Sequence, residues 1–324
     1  MSRYKPAFQG IALCTKKLGL HNAVFCQRNR YLYTCFRGTR RPRQLMGLCS
    51  LQSRFDICSV SENVSVRTIP VLRDNYAYLL MDKQYNVAAA VDPVEPTKVL
   101  RAAEEEGVRL VAVLTTHKHW DHSGGNEELL EKYPSLKIYA SKYETVPGMT
   151  HGVGQGDVFQ FHTPSCLDVY VYCTPCHTRG HLLYFVKERN STSNAHPILF
   201  SGDTLFIGGC GRFFEGSSED MLKNIEQVIK SFPGNTLMFC GHEYTLKNLE
   251  FALLLEPNNQ ILKNKYNWAK QQRQLGKYTV PSTLAEEFQY NPFLRYNEVA
   301  IQKAVEQTEP TRVLAALRKQ KDIF

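Results

Sequence analysis

The apolar positions of this chain fall into two rhythms. From about Val64, "VSVRTIPVL" and "YAYLLMD" read as short strands around the turn-like "RDN", and "AAAVDP" as a small-residue strand stopped by Pro93. "PTKVLRAAEEEGV" has helical spacing and predicts a helix that Gly107 ends. "RLVAVLTT" predicts a buried strand that delivers the chain to His117; "NEELLEKY" predicts a short helix and "LKIYAS" another strand. The middle is rich in strands: "VYVYCTP", "LLYFVKE", "PILFSGD" and "TLMFCGH". After Glu243 the rhythm turns helical, through "YTLKNLEFALLLEP", "NQILKNKYNWAKQQRQLG", "NEVAIQKAV" and "TRVLAALRKQKDIF". No internal repeat is visible. The pattern predicts a layered α/β domain with two sheets inside and helices outside, followed by a helical appendage.

Charge changes the picture at the N-terminus. The formal net charge is +8, yet residues 1–55 hold eleven Lys or Arg and no acid, and the first carboxylate is Asp56. Residues 56–324 carry 28 basic and 31 acidic side chains, a net of −3. A slightly acidic folded part argues against nucleic acid as a partner, since binding phosphates needs clustered positive charge. No stretch is long and apolar enough to span a bilayer, so no membrane partner is expected. The Arg-rich, acid-free leader, placed at 1–60, predicts a mitochondrial transit peptide and residence in the matrix. A cytoplasmic form would follow from an internal start such as Met46. Five of the ten cysteines (14, 26, 35, 49 and 58) fall in or near that leader, and the others form no CxxC framework, so reduced thiols are expected.

The candidate chemistry begins at "TTHKHWDH", residues 115–122, which crowds three histidines and an aspartate into six positions. Imidazole and carboxylate are common ligands for zinc and other first-row metals. His117 and His119 are two apart, so extended backbone sends both side chains to one side. Asp121 and His122 follow where the chain turns and can point elsewhere. Three more candidates stand at strand ends: His177 in "TPCHTRGH", Asp203 in "FSGDTLF" and His242 in "FCGHEY". A dinuclear site would put His117, His119 and His177 on one ion and Asp121, His122 and His242 on the other. Asp203 would bridge them, and a shared water would be acidified towards hydroxide at neutral pH.

These motifs resemble the metallo-β-lactamase superfamily, whose THxHxDH pattern is Thr116 to His122 here. More closely, "DNYAYLL", "VDPVEP", "TPCHTRGH", "FSGDTLFIGGCGRFFEG", "CGHEYTLKNL", "VPSTLAEEFQYNPFLR" and "LRKQKDIF" are similar to glyoxalase II, the hydroxyacylglutathione hydrolases. The resemblance implies a four-layer αββα domain, at 64–245, holding two divalent ions, and a helical glutathione-binding domain at 246–324. It implies zinc first, with iron or manganese also accepted by such ligands, and the same seven ligand residues. It implies hydrolysis of S-D-lactoylglutathione to glutathione and D-lactate by the bridging hydroxide, with Asp121 and Asp203 holding the ions, in a monomer. Substrate contacts implied by the resemblance fall on Arg212, Phe214, Tyr244, Arg318 and Lys321. Phe214 departs from the tyrosine of the close vertebrate pattern and forfeits a hydroxyl donor, and Arg at 212 replaces Lys, changing reach and shape.

Two other branches of the superfamily share part of the pattern. Persulfide dioxygenases act on a glutathione derivative with one iron but generally lack the long helical tail. The paroxysmal nonkinesigenic dyskinesia protein also carries "THKHWDHSGGN" and "YNPFLR" and would point to a regulatory role. His181 is expected to support the site rather than ligate. Trp120 is expected to pack, and His21, His151, His162 and His196 receive no role. Cys176 and Cys210 neighbour ligands and are expected to be small buried apolar groups.

Overall fold

The computed structural model describes residues 56–189 and 196–324. The expected leader lies outside the described residues as far as Phe55, and with it Cys14, Cys26, Cys35, Cys49, His21 and Met46. The first half builds a seven-stranded sheet in sequence order: β1 (Ile57–Ser59), β2 (Val64–Val71), β3 (Asn75–Asp82), β4 (Val87–Val91), β5 (Arg109–Leu114), β6 (Lys137–Ser141) and β7 (His151–Val153). Between them run α1 (Pro96–Glu106), the single turn α2 (Trp120–Ser123) and α3 (Asn126–Lys132). Folded structure starts earlier than the sequence pattern indicated, because Ile57 pairs with Arg67 and Ser59 with Ser65.

The second half adds β8 (Val158–Phe159), β9 (Leu167–Cys173), β10 (Leu182–Glu188) and β11 (Ile198–Gly202), then a hairpin of β12 (Leu205–Phe206) and β13 (Gly209–Cys210). After α4 (Ser218–Lys223) come β14 (Leu237–Cys240), α5 (Thr245–Leu255), α6 (Gln260–Gln274), β15 (Ser282–Thr283), α7 (Leu284–Tyr290), α8 (Val299–Val305) and α9 (Pro310–Ile323). The six-stranded second sheet has the order β15-β14-β11-β10-β9-β8. Two sheets with helices on both outer faces make the four-layer αββα metallo-β-lactamase fold, and α5 to α9 form the C-terminal helical region.

Period-two alternation sorts each strand between two buried faces. Tyr76, Tyr78 and Leu80 of β3 face the second sheet, packing with Leu182, Tyr184 and Val186 of β10, Phe200 and Phe239. Ala77, Leu79 and Met81 face outward and pack under α1 and α3 with Val99, Ala102 and Leu129. Leu183 and Phe185 of β10 point the other way, into a third cluster that α5 to α9 complete with Leu249, Leu262, Phe293 and Leu317. The helical region therefore shares its core with the second sheet.

Helix ends follow local chemistry. Pro96 opens α1, and Gly107 closes it with φ 66°, as the sequence predicts. Capping boxes start α4 (Ser217 with Asp220) and α7 (Thr283 with Glu286). The short elements β7, β8, β12, β13, β15, α4 and α7 carry too few residues for periodicity to reveal them. Among the described residues no helix is long and apolar enough to cross a membrane, and all six cysteines are free.

Candidate metal centre

The C-terminal ends of β5, β9, β11 and β14 meet at one edge of the sandwich, and the loops leaving them carry the predicted residues. Backbone bonds tie the two sheets together there: Leu182 N–H donates to Thr116 O (2.8 Å) and Tyr76 N–H to Gly241 O (2.8 Å). His117 sits in extended chain after β5, while Asp121 and His122 lie in α2, whose turn brings the His122 ring to 4.2 Å from that of His117. Asp203 follows Gly202 at the end of β11, where φ is 47° and a Cβ would meet Thr116 Oγ1 at 2.6 Å. Gly241 is needed for close approach as well, because its Cβ would lie 2.3 Å from Asp203 Oδ1.

Ligand atoms gather in three overlapping groups, each within 4.8 Å: His117, His119 and His177; His117, His122 and Asp203; Asp121, His122 and His242. The outer ring nitrogens of His117, His122, His177 and His242 are all occupied. His177 Nδ1 donates to Arg212 O (3.0 Å), His242 Nδ1 to Asp74 Oδ1 (3.0 Å) and His122 Nδ1 to Asp92 Oδ2 (3.0 Å). Thr116 Oγ1 donates to Asp92 Oδ2 (2.8 Å), which leaves its lone pair for His117 Nδ1 (3.0 Å). Each of these rings is thereby fixed with Nε2 facing inward, the usual support of a metal-binding histidine.

The inward atoms have no good protein partners. His119 Nδ1 lies 3.0 Å from both His117 Nε2 and His177 Nε2, and one ring nitrogen cannot donate to both at once. Asp203 is buried between the groups, with Oδ1 3.4 Å from His122 Nε2 and Oδ2 3.4 and 3.3 Å from His177 and His242 Nε2. Its Oδ1 makes no hydrogen bond within the chain. Lone pairs and a carboxylate converging in this way fit cations, and the two sides of Asp203 fit two of them. The residues form a candidate dinuclear metal site.

Charge is arranged accordingly. Burial opposes a proton on His242, but Asp203 and Asp74 outweigh it and lift its pKa to about 9. Burial also opposes the charge on His122, which Asp203 and Asp92 nevertheless hold well above the ordinary imidazole range. Burial drives His117 well below that range. With its pKa near 9, His242 carries a proton at pH 7.5 in the metal-free protein and must lose it to ligate. Metal addition is expected to release more protons at pH 7.5 than at pH 10, because His242 has largely given up its proton by then. Calorimetry in buffers of different ionisation enthalpy measures this; an uptake independent of buffer would contradict the assignment.

Several supporting residues escaped the sequence reading. Asp74, Asn75 and Asp92 stand in quoted motifs, yet nothing in their spacing gave them a role. Asn75 Nδ2 donates to Asp121 Oδ2 (2.9 Å), and Asp92 organises Thr116 and His122. His181 supports rather than ligates: its ring stacks on His117 at 4.8 Å, and its Nε2 accepts from Asp203 N–H (3.0 Å).

Beside the cluster lies a pocket of about 440 Å³. Arg212, Phe214, Tyr244, Arg318 and Lys321 all reach it, together with Lys247 and Asn248, which the sequence did not single out. Phe214 is exposed and lays its ring 5.1 Å from that of His177, while Tyr244 stacks on His242 at 4.7 Å. Arg212 pairs with Asp322 (3.3 Å). Arg318 is buried, donating to Cys210 O (2.9 Å) and to Asp322 (3.0 Å).

Residues 80–242 match the metallo-beta-lactamase superfamily and residues 243–324 match the hydroxyacylglutathione hydrolase C-terminus. The chain is 47% identical over 261 residues to a hydroxyacylglutathione hydrolase-like protein of Gallus gallus, covering 81% of this chain and 90% of that one. It is 43% identical to a cytoplasmic hydroxyacylglutathione hydrolase of Arabidopsis thaliana, covering 78% and 96%. The chain belongs to the hydroxyacylglutathione hydrolase family. Among solved structures, a metallo-beta-lactamase from Staphylococcus aureus aligns with TM-score 0.56 at 23% identity, over 81% of this chain and 72% of that one, which shows the shared fold.

The stretch matching the hydroxyacylglutathione hydrolase C-terminus has a physical task beside the pocket. It braces the β12–β13 hairpin, which brings Phe206 and Cys210 to the pocket wall. Asn248 Nδ2 donates to Ile207 O (3.1 Å), Asn291 Nδ2 to Phe206 O (3.2 Å) and Gly209 O (3.1 Å), and Gly208 N–H donates to Glu287 Oε2 (2.9 Å). In this member of the hydroxyacylglutathione hydrolase family, "STLAEEFQYNPF" therefore acts through the hairpin's backbone.

Proposed function

We propose that the protein hydrolyses acyl-glutathione thioesters, S-D-lactoylglutathione first among them, to glutathione and the free 2-hydroxy acid. The observation that carries this reading is a candidate dinuclear site opening into a pocket lined by four cationic side chains: Arg212, Lys247, Arg318 and Lys321. Glutathione carries two carboxylates, which such groups recognise through charge-assisted hydrogen bonds. The names of the Gallus gallus and Arabidopsis thaliana relatives support the same substrate class.

In this reading His117, His119 and His177 hold one cation, Asp121, His122 and His242 the other, and Asp203 lies between. Bound divalent cations, zinc by preference with iron or manganese accepted by the same ligands, would acidify a water and polarise the thioester carbonyl. The chain's own residues do the rest. Burial raises the Tyr244 pKa, so its phenol stays protonated and can donate to substrate. Phe214 contributes an apolar wall without a hydroxyl, which leaves glutathione contacts there to Arg212. The Arg-rich stretch before Asp56 supports import into the mitochondrial matrix, with a cytoplasmic form from an internal start.

Lys321 sets an expected pH dependence. Burial, then the Lys247 and Arg318 charges, lower its pKa from 10.5 to about 8. The cation that would attract carboxylate is thus present at pH 7 and lost as pH rises through 8. With the full-length protein loaded with metal, S-D-lactoylglutathione is expected to be hydrolysed, with KM rising above pH 8 in wild type and a flatter profile in Lys321→Met. A protein that holds two metals yet leaves the thioester intact would overturn the proposal.

A further inference from the structure

The position between His117 and His119 is occupied by Lys118, which is not among the residues lining the pocket. Its backbone N–H donates to Glu144 Oε1 (2.7 Å), and its ammonium pairs with Glu215 Oε1 (2.7 Å). The remaining oxygens of both carboxylates grip the loop after His177. Glu215 Oε2 accepts from Arg179 N–H (2.9 Å) and Glu144 Oε2 from Gly180 N–H (3.1 Å). Glu215 N–H donates to Cys176 O (3.1 Å), so its backbone rests on the same loop. At Gly180 a Cβ would lie 2.5 Å from Glu144 Cγ, so the grip needs glycine there.

The clamp joins three segments: the loop of His117 and His119, the loop of His177, and the Arg212–Glu215 stretch. That stretch forms one wall of the pocket, and the Phe214 ring lies 5.9 Å from His119 and 5.1 Å from His177. Arg179 N–H and Cys176 O would hold Glu215 to the His177 loop even without Lys118. What Lys118 adds is the tie to the His119 loop.

We propose that Lys118 is a positioning residue: its ion pair with Glu215 fixes the Arg212–Glu215 wall against the His119 loop and so shapes the pocket for the glutathione moiety. The kinetic consequence rests on the hydrolase reading; the tether itself does not. The pair is half-buried, with side-chain exposures of 35% and 28%, so its loss should be felt modestly. Lys118→Met is expected to raise KM about 3- to 5-fold, with kcat nearly unchanged and metal content intact.

Three further variants test the pairing. Glu215→Gln, which keeps an acceptor for Arg179, should raise KM in the same direction. The double variant should be no worse than the larger single one, and Lys118→Arg should recover wild-type KM. If Lys118 merely attracted an anionic substrate, Glu215→Gln would lower KM, and the proposal would fail. Metal loss in Lys118→Met would also overturn it, by making Lys118 a support for the ligands. Amide hydrogen exchange over residues 211–216 decides the tether without substrate: faster exchange in Lys118→Met supports it, and unchanged exchange overturns it. Wild-type inactivity on acyl-glutathiones would sink the hydrolase reading alone, and the exchange result would still stand for or against the tether.

Discussion

Replacing Asp203 by alanine is expected to lower kcat by on the order of 10³-fold, with loss of bound metal. The carboxylate reaches His122 with one oxygen and His177 and His242 with the other, so among the described residues it is the one anion facing both halves of the cluster. Alanine removes that charge from a buried position where Oδ1 has no hydrogen bond to lose. The fold should therefore survive, and circular dichroism of the variant should match wild type.

The same substitution should alter the pH dependence of the metal-free protein. In wild type, His242 titrates near 9 when folded against 6.5 as a free side chain. A raised folded pKa gives stability that is complete below 6.5 and is lost as pH climbs through 9. Asp203 is the leading charge behind that rise, so the metal-free variant should lose less stability over this window than wild type. Denaturant unfolding at pH 6 and pH 9.5 tests it. A variant retaining both metals and wild-type turnover would remove Asp203 from the centre of the mechanism.

Much of this site was legible because strand ends announce themselves. "LTTH", "FSGD" and "FCGH" each run an apolar strand into a polar residue, and the structure brings His117, Asp203 and His242 to one edge. Two sheets inside and helices outside followed from strands alternating with helices, and the four-layer αββα order from the resemblance. The supporting shell was harder to read, because Asp74 and Asp92 are single carboxylates in turns, as common in loops without any function. Their roles depend on contacts between residues far apart in the chain: His242 with Asp74, and His122 with Asp92. The hairpin brace was hidden for the same reason, since Asn291 meets Phe206 O only after folding. Lys118 drew no notice in the sequence, because its partner Glu215 lies almost a hundred positions away.

Asp92 offers the second large effect. It is buried, and its Oδ1 accepts from Thr116 N–H (2.8 Å) while Oδ2 accepts from Thr116 Oγ1 and His122 Nδ1. Its backbone has φ 48°, a left-handed conformation that aspartate and asparagine tolerate better than most residues. Asp92→Ala would strain the backbone and leave three buried donors unpaired, costing about 3 kcal/mol or more of stability. Asp92→Asn is the sharper probe, since it keeps shape and backbone preference. Its amide oxygen can still accept from Thr116, but its NH₂ would face the His122 Nδ1–H, donor against donor. Relief requires His122 to move its proton to Nε2, the nitrogen that faces Asp203 and the ligand cluster. Asp92→Asn is therefore expected to weaken metal binding and activity about 10- to 100-fold, while the protein stays folded. Metal titration of Asp92→Asn beside wild type measures this. Unchanged affinity would mean that His122 takes its orientation from elsewhere, and that the chain from Asp92 through Thr116 to His117 serves packing alone.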